Sequence, residues 1–335
     1  MELNIGRMEH GRRNSIADVP GVTVGHCTID TDRHKTGVTV VMPCEDDVFR
    51  NKMVAACHVL NGFGKTGGLV QIRELGTLET PIALTNTLNI GLVHDAMVEY
   101  MCRKAEENGY AIRSVNPIVA ECNDASLNDI RHRAVGQADV FSAIASACAD
   151  FQQGDVGAGK GMTCHDLKGG IGSASRIIEI GNSRYTLGIL ALTNHGSLKD
   201  LTIGGDNLGM EIEHRIREDT PDEGSCILII ATDLPVTSRQ LGRILRRCSV
   251  GLARLGSFIG HGSGEVFIGF STANRIPMEA DVMELRSIHE SHMDKAFRAA
   301  AEATEEAILQ SMLHAKTVTG YSSKVRRSLA EFWQP

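Results

Sequence analysis

Aromatic residues are scarce. Phe, Tyr and Trp together make up 4% of the 335 positions, with a single tryptophan. Single-stranded nucleic acid is gripped by rows of such rings, so their shortage argues against that partner. Positive charge is short as well, with 34 Lys and Arg against 41 Asp and Glu, a net −7. A phosphate backbone is repelled by that balance, and no nucleic-acid partner is expected. No apolar stretch approaches the roughly 18 residues of a membrane span, so no membrane partner is expected either. The first residues, MELNIGRMEHGRR, are polar and lack the apolar middle of a secretory signal. The nine cysteines are scattered, odd in number and contain no C-x-x-C. Reduced core thiols in a cytoplasmic protein are the expectation. What is present is a 36.2 kDa chain with 42% hydrophobic residues and 35 glycines, ample for a sizeable core.

Short segments rich in Val, Ile and Thr and bounded by Gly read as strands: 21–25, 37–42, 81–91, 170–180, 185–193, 226–232 and 266–272. Several are apolar almost throughout, which suits strands covered on both faces. Helical spacing connects Val93, Ala96, Met97, Tyr100 and Met101 before Gly109, and Leu241, Ile244, Leu245, Cys248 and Leu252 after a cap at Ser238. A long helix is predicted over 291–315, opened by Ser291 and Asp294, and another over 134–153. Strands and helices mix without strict alternation. The predicted class is therefore α/β in the broad α+β sense, with strand layers sandwiched by helices.

Several motifs fail on chemistry. Residues 154–162, GDVGAGKGM, resemble a phosphate loop, but Gly161 stands where a magnesium-binding Ser or Thr is required. A loop that lets backbone approach a substrate or neighbour fits better. His289 and His292 are three apart, where a zincin helix needs four. His132 sits between two arginines and makes a poor ligand. No metal and no cofactor are expected, and no G-x-S-x-G elbow is present.

One junction carries chemistry. Residues 217–224, REDTPDEG, are acidic and turn-rich, and stop abruptly at the apolar run Ser225-Cys226-Ile227-Leu228-Ile229-Ile230. A flexible loop entering a core strand at Gly224-Ser225 suits self-cleavage: the serine hydroxyl attacks the Gly224 carbonyl, and water resolves the ester. Glycine tolerates a strained backbone at such a bond. Cleavage frees an α-amine with an ordinary pKa of about 7.7–8.0, able to act as base for its own hydroxyl. Downstream, His261-Gly262-Ser263-Gly264-Glu265 sets a serine and a glutamate together before a strand.

These features sit in eight collinear blocks: SIADVPGVTVGH (15–26), TGVTVVMP (36–43), NPIVAECNDASLNDI (116–130), GDVGAGKGM (154–162), KGGIGSASR (168–176), LTNHG (192–196), GSCILIIATDLP (224–235) and GSGEVFIGFST (262–272). Together they resemble the DmpA/BapA family, peptidase family P1, over nearly the whole chain. The resemblance implies an αββα sandwich of the N-terminal-nucleophile kind. It also implies one domain, 1–335, autocleaved into 1–224 and 225–335, and removal of N-terminal residues from small peptides, amides or esters. Carried over by position, it makes Ser225 the nucleophile, Ser263 and Glu265 its catalytic partners, and Asn194 the oxyanion donor. Glu121 becomes the acid that receives the substrate ammonium, with Asn123 beside it in the pocket. A homo-oligomer, a tetramer of cleaved pairs, is implied too.

Four positions depart from the family pattern: Asn123 where some members carry Tyr, Ala125 and Ser126 for Gly-Tyr, and His195 for Phe. All are expected around the pocket, so substrate range is the property least readily transferred. Two other readings keep the fold: an acyltransferase of the ornithine-acetyltransferase kind, and a catalytically silent scaffold.

Overall fold

The apolar runs pair into two stacked sheets. The computed structural model describes residues 5–216 and 224–333. In chain order it forms β1 Thr23–Asp30, β2 Lys35–Met42, β3 Asn51–Gly62, α1 Leu69–Leu75, β4 Thr77–Leu78, β5 Ile82–Asn86, α2 Ile90–Glu107 and β6 Ile118–Cys122. There follow α3 Gln137–Ala145, β7 Thr163–Cys164, β8 Leu167–Lys168, β9 Ile171–Ile180, β10 Ser183–Asn194, α4 Leu208–Ile216 and β11 Ser225–Thr232. The chain continues through α5 Ser238–Leu245, α6 Cys248–Arg254, β12 Gly264–Pro277 and α7 Met293–Leu313. Four strands make one sheet in the order β1-β2-β5-β6, and six make the other, β4-β3-β12-β11-β10-β9.

Each interface between layers has its own apolar core. Val24, Val41, Ile82, Leu84 and Ile118 of the smaller sheet meet Leu190, Leu192, Ile227, Ile229 and Ile268 of the larger one. The other face of the larger sheet, with Ile189, Leu228, Ile230 and Phe267, packs under α5, α6 and α7. Val38, Val40, Ala83 and Val119 on the outer face of the smaller sheet pack against Val93 and Met97 of α2 and Val140 and Ala143 of α3. The result is the expected αββα order of layers. Every residue of β11 is buried, which explains why its sequence shows no polar alternation.

Strand periodicity aims the functional side chains. In β11 the odd-numbered Ile227, Ile229 and Ala231 face the smaller sheet, so Ser225 begins the strand on that face. In β10, Leu190 and Leu192 face the same way, and Asn194 ends the strand in phase with them. The antiparallel register makes Asn194 the direct partner of Ser225. On the other side β12 runs parallel, with Gly264 opposite Ser225 and Glu265 opposite Cys226.

Several predicted boundaries shift. The strand expected over 81–91 ends at Asn86, because the Asn86 side chain accepts from the Leu88 and Asn89 N–H groups and turns the chain into α2. The single helix expected after Ser238 is two, α5 and α6, and its cap is Thr237, whose hydroxyl accepts from the Gln240 N–H. Its apolar stripe lies in the protomer's own core, with Leu241, Ile244, Leu245, Cys248 and Leu252 fully buried. The long helix starts at Met293; Ser291 lies in a preceding short turn, where its N–H is accepted by the His289 ring. The helix expected over 134–153 spans only Gln137–Ala145. Of the described strands longer than two residues, β3 and β6 escaped the sequence reading. Of the acidic run at 217–224, only Gly224 falls within the described residues.

Candidate active site

The head of β11 meets the tail of β10 at a cavity of about 470 Å³. Gly224, Ser225 and Asn194 line it, together with Thr87, Asn123, Thr163 and His195. Ser225 is 5% exposed and Asn194 7%, so both are buried apart from the faces they turn to the cavity. The Ser225 hydroxyl donates to the Gly224 carbonyl oxygen at 2.7 Å. The Gly264 N–H donates to the same oxygen at 2.9 Å. The Gly224 carbonyl is thus polarised from one side, with the Ser225 hydroxyl beside it.

Glycine at 224 is required for space. A Cβ there would lie 1.9 Å from the Asn194 carbonyl oxygen and 2.9 Å from the His195 Cα, both main-chain atoms that cannot step aside. The sequence reading invoked tolerance of strain at this glycine; the structure adds a requirement of space. Close approach of two backbones is the reason.

Asn194 is oriented by one bond. Its Oδ1 accepts from the Thr163 N–H at 2.9 Å, which leaves the Nδ2 hydrogens as the donors beside Ser225. Ser263 and Glu265 lie across from Ser225 on either side of Gly264, 1% and 0% exposed. The Ser263 hydroxyl donates to Glu265 Oε1. The Ser263 carbonyl in turn accepts from the Asn61 Nδ2 at 2.5 Å, and the same amide donates to the Gly260 carbonyl at 2.8 Å. Asn61, at the end of β3, therefore pins the turn that carries Ser263. Sequence reasoning missed it, because nothing local distinguishes it from any other Asn-Gly.

Glu121, on β6, is 2% exposed, and both its oxygens are engaged. Oε1 accepts from the Lys65 N–H at 2.9 Å and Oε2 from the Thr87 hydroxyl. Lys65 and Thr87 form the cavity wall in front of it. Asn123, two residues on, is exposed, lines the cavity and accepts from the Ala125 N–H at 2.9 Å. Ala125, Ser126 and His195 line the same cavity, so all four departures from the family pattern gather there. Cys122 bridges the two sheets, donating weakly to the Ser225 carbonyl at 3.4 Å. Burial first, and then the Glu121 and Glu265 charges, raise its thiol well above the ordinary range and keep it neutral.

Of the two buried histidines, His195 was expected only as a departure at the pocket, and His165 was not singled out. His195 is pushed down to about pKa 3 by burial and then by neighbouring His165, whose ring meets it edge-on at 5.5 Å. Beside them lies Cys164.

A four-layer αββα sandwich with a serine at the head of a central strand, facing a cavity, is the N-terminal-nucleophile (Ntn) hydrolase type of fold. Comparison with known proteins agrees. The profile of Peptidase family S58 matches residues 14–326, and the chain belongs to that family, read from the sequence as DmpA/BapA, and is a peptide-bond hydrolase. Beta-peptidyl aminopeptidase BapA from Sphingosinicella xenopeptidilytica is 36% identical over 335 residues, covering 92% of this chain and 83% of that protein. The solved PH0078 protein from Pyrococcus horikoshii OT3 is 46% identical with a TM-score of 0.92, covering 98% of this chain and 94% of its own. The L-aminopeptidase D-Ala-esterase/amidase from Ochrobactrum anthropi, described as a variant among the Ntn hydrolase fold, is 33% identical with a TM-score of 0.91. That likeness covers 97% of this chain and 93% of that one.

Proposed function

We propose that this chain cleaves itself between Gly224 and Ser225 and then works as a serine aminopeptidase or amidase on small peptides, amides or esters. The observation that carries this reading is the Ser225 hydroxyl at 2.7 Å from the Gly224 oxygen, with the Gly264 N–H on the same oxygen at 2.9 Å. In the first reaction Oγ forms a bond to the Gly224 carbonyl carbon and the C–N bond breaks, with the nitrogen taking the hydroxyl proton. Water then hydrolyses the ester. The products are 1–224, ending in a carboxylate, and 225–335, beginning with a free amine.

In the second reaction that α-amine takes the Ser225 proton as Oγ attacks the substrate carbonyl, and returns it to the leaving amine. Water resolves the acyl-enzyme. Asn194 Nδ2 donates to the oxyanion, and the Gly264 N–H, vacated by Gly224, is a second donor. Ser263 and Glu265 hold and orient the amine. Glu121 supplies the negative charge that favours a substrate with a free ammonium group, which an internal peptide lacks. The relatives' names point to short peptides with a free N-terminal α- or β-residue as the class to test first. The cleaved pairs assemble into a homo-oligomer, a tetramer of pairs, in a cytoplasmic setting that keeps the cysteines reduced. No helix among the described residues is long and apolar enough to cross a membrane.

The test is a denaturing gel of purified, aged protein with N-terminal sequencing. Scaling 36.2 kDa by length gives fragments of about 24 and 12 kDa, the smaller beginning at Ser225. Processed enzyme should release a burst of leaving group from an aminoacyl p-nitroanilide. One intact band defeats self-processing; exclusive transfer to an added amine, with no hydrolysis, defeats the hydrolase reading in favour of an acyltransferase.

A further inference from the structure

Cys164, His165 and His195 converge where the β7–β8 hairpin meets the end of β10. One donor atom from each, a sulfur and two imidazole nitrogens, lies within 4.8 Å of the others, and all three residues are buried. The His165 N–H donates to the His195 carbonyl at 2.8 Å and ties the two segments together. Buried imidazoles normally find hydrogen-bond partners. Neither ring nitrogen of His195 has one, although the residue is only 2% exposed. His165 Nδ1 lies 3.0 Å from the Ser197 carbonyl, which fixes Nδ1–H as the donor and leaves the lone pair on Nε2. That is how a metal-bound histidine is usually oriented from behind. His165 and Asp166 also both hold positive φ, +47° and +58°, a hairpin-turn conformation that ordinarily selects Asn-Gly.

We propose that these three residues form a zinc site, with two imidazoles and one thiolate as ligands and a fourth position open to the cavity that His195 lines. The donor set suits Zn²⁺, with Zn–S about 2.3 Å and Zn–N about 2.0–2.1 Å, and lacks the oxygens that Mg²⁺ or Ca²⁺ needs. Around a tetrahedral ion such atoms stand roughly 3.3–3.6 Å apart, so closure takes side-chain shifts on the order of 1 Å. The Cys164 thiol proton passes to solvent as the Zn–S bond forms, so uptake releases one proton per ion and strengthens as pH rises. The ion would sit beside Asn194 and Thr163, clamping the two segments that position the amide donor.

The test titrates full-length protein, stripped by a chelator and dialysed, with Zn²⁺ by calorimetry in buffers of different ionisation enthalpy. One ion per chain, about one proton released per ion and a higher Tm are expected. Co²⁺ in its place should give a thiolate-to-metal charge-transfer band. Cys164→Ser should abolish that band, and both Cys164→Ser and His195→Phe should weaken Zn²⁺ binding roughly 10–100-fold or more. The stacked surface pair His34 and His132 is the competing location, and His132→Ala should leave the titration unchanged. No uptake, uptake indifferent to both core variants, or uptake lost in His132→Ala overturns the proposal. Should either core variant fail to fold, anomalous diffraction from Zn²⁺-soaked wild-type crystals decides. A peak between the three side chains supports the site, and a peak elsewhere or none refutes it.

Discussion

Two buried polar clusters in this protein have nearly the same burial and opposite design. Arg176, on β9, is 1% exposed; its guanidinium meets Glu306 at 2.7 Å and Glu302 at 3.4 Å and donates to the carbonyls of Ser175 and Ile5. Glu302 also accepts the N–H groups of Arg7 and Met8 at 3.0 Å. Charge meets charge there, and the bonds fasten the N-terminal segment, a strand and α7 to one another. The cluster at Ser225 is aimed at an opening instead. The Asn194 amide is anchored by its oxygen, opposite Ser225 in the strand register; the Gly264 N–H and Ser225 hydroxyl converge on one carbonyl. Buried polarity alone therefore does not mark a functional site. Donors fixed from behind and pointing into a cavity do.

Removing the Ser225 hydroxyl should break the comparison hardest. Ser225→Ala is expected to remain a single 36.2 kDa chain on a denaturing gel, with hydrolysis reduced to background and thermal unfolding nearly unchanged. Gly224→Ala should come next, because its Cβ has no room against the Asn194 carbonyl; a time course of fragment appearance should show processing stopped or greatly slowed. In the closed cluster the effect should move to stability. Arg176→Met leaves buried Glu306 without its cation and Glu302 with only Arg298 at 3.8 Å, and should cost about 3–5 kcal/mol in denaturant unfolding, while turnover per folded, processed molecule holds. Asn194→Ala should do the reverse, costing roughly 2.7–4 kcal/mol of barrier, seen as a 10²–10³-fold fall in kcat with little change in Tm.

The smallest effect sharpens the boundary between the two designs. Asp124 is buried under the cavity-lining 123–126 turn and bonded to Asn128 at 3.0 Å. Burial raises its pKa from 3.8 to about 7. Between those values the unfolded chain has lost a proton that the folded chain keeps, so the contribution is whole below pH 3.8 and declines as pH rises toward 7. Thermal melts across that range should show Asp124→Asn losing part of this downward slope. An unchanged slope would mean that the folded carboxyl ionises as readily as the unfolded one.

Most of the large sheet was legible because its strands are long, β-branched and buried on both faces: β9, β10 and β11 fall within a residue or two of their expected limits. β3 was not, since Ala55-Ala56-Cys57-His58 has neither the alternation nor the branched side chains of a strand; its pairing with β12 makes it one. β6 is five residues long and ends in Glu121 and Cys122, too brief for a period to register. The split between α5 and α6 was hidden because both halves present apolar residues to the same core. Asn61, Cys164 and His165 gave no signal, and His195 showed only as a departure at the pocket, because their partners lie across sheets or loops.

Composition and local pattern were enough to settle the layers, the family blocks and the identity of the residue at the head of β11. Those properties depend on neighbours a few positions apart, where periodicity and turn chemistry act. Tertiary structure alone decided that Asn194 faces Ser225, that the Gly264 N–H shares the Gly224 oxygen, and that a Cβ at 224 has no room. Each of these is a distance between chain segments brought together by sheet register, and register is fixed by the packing of whole faces.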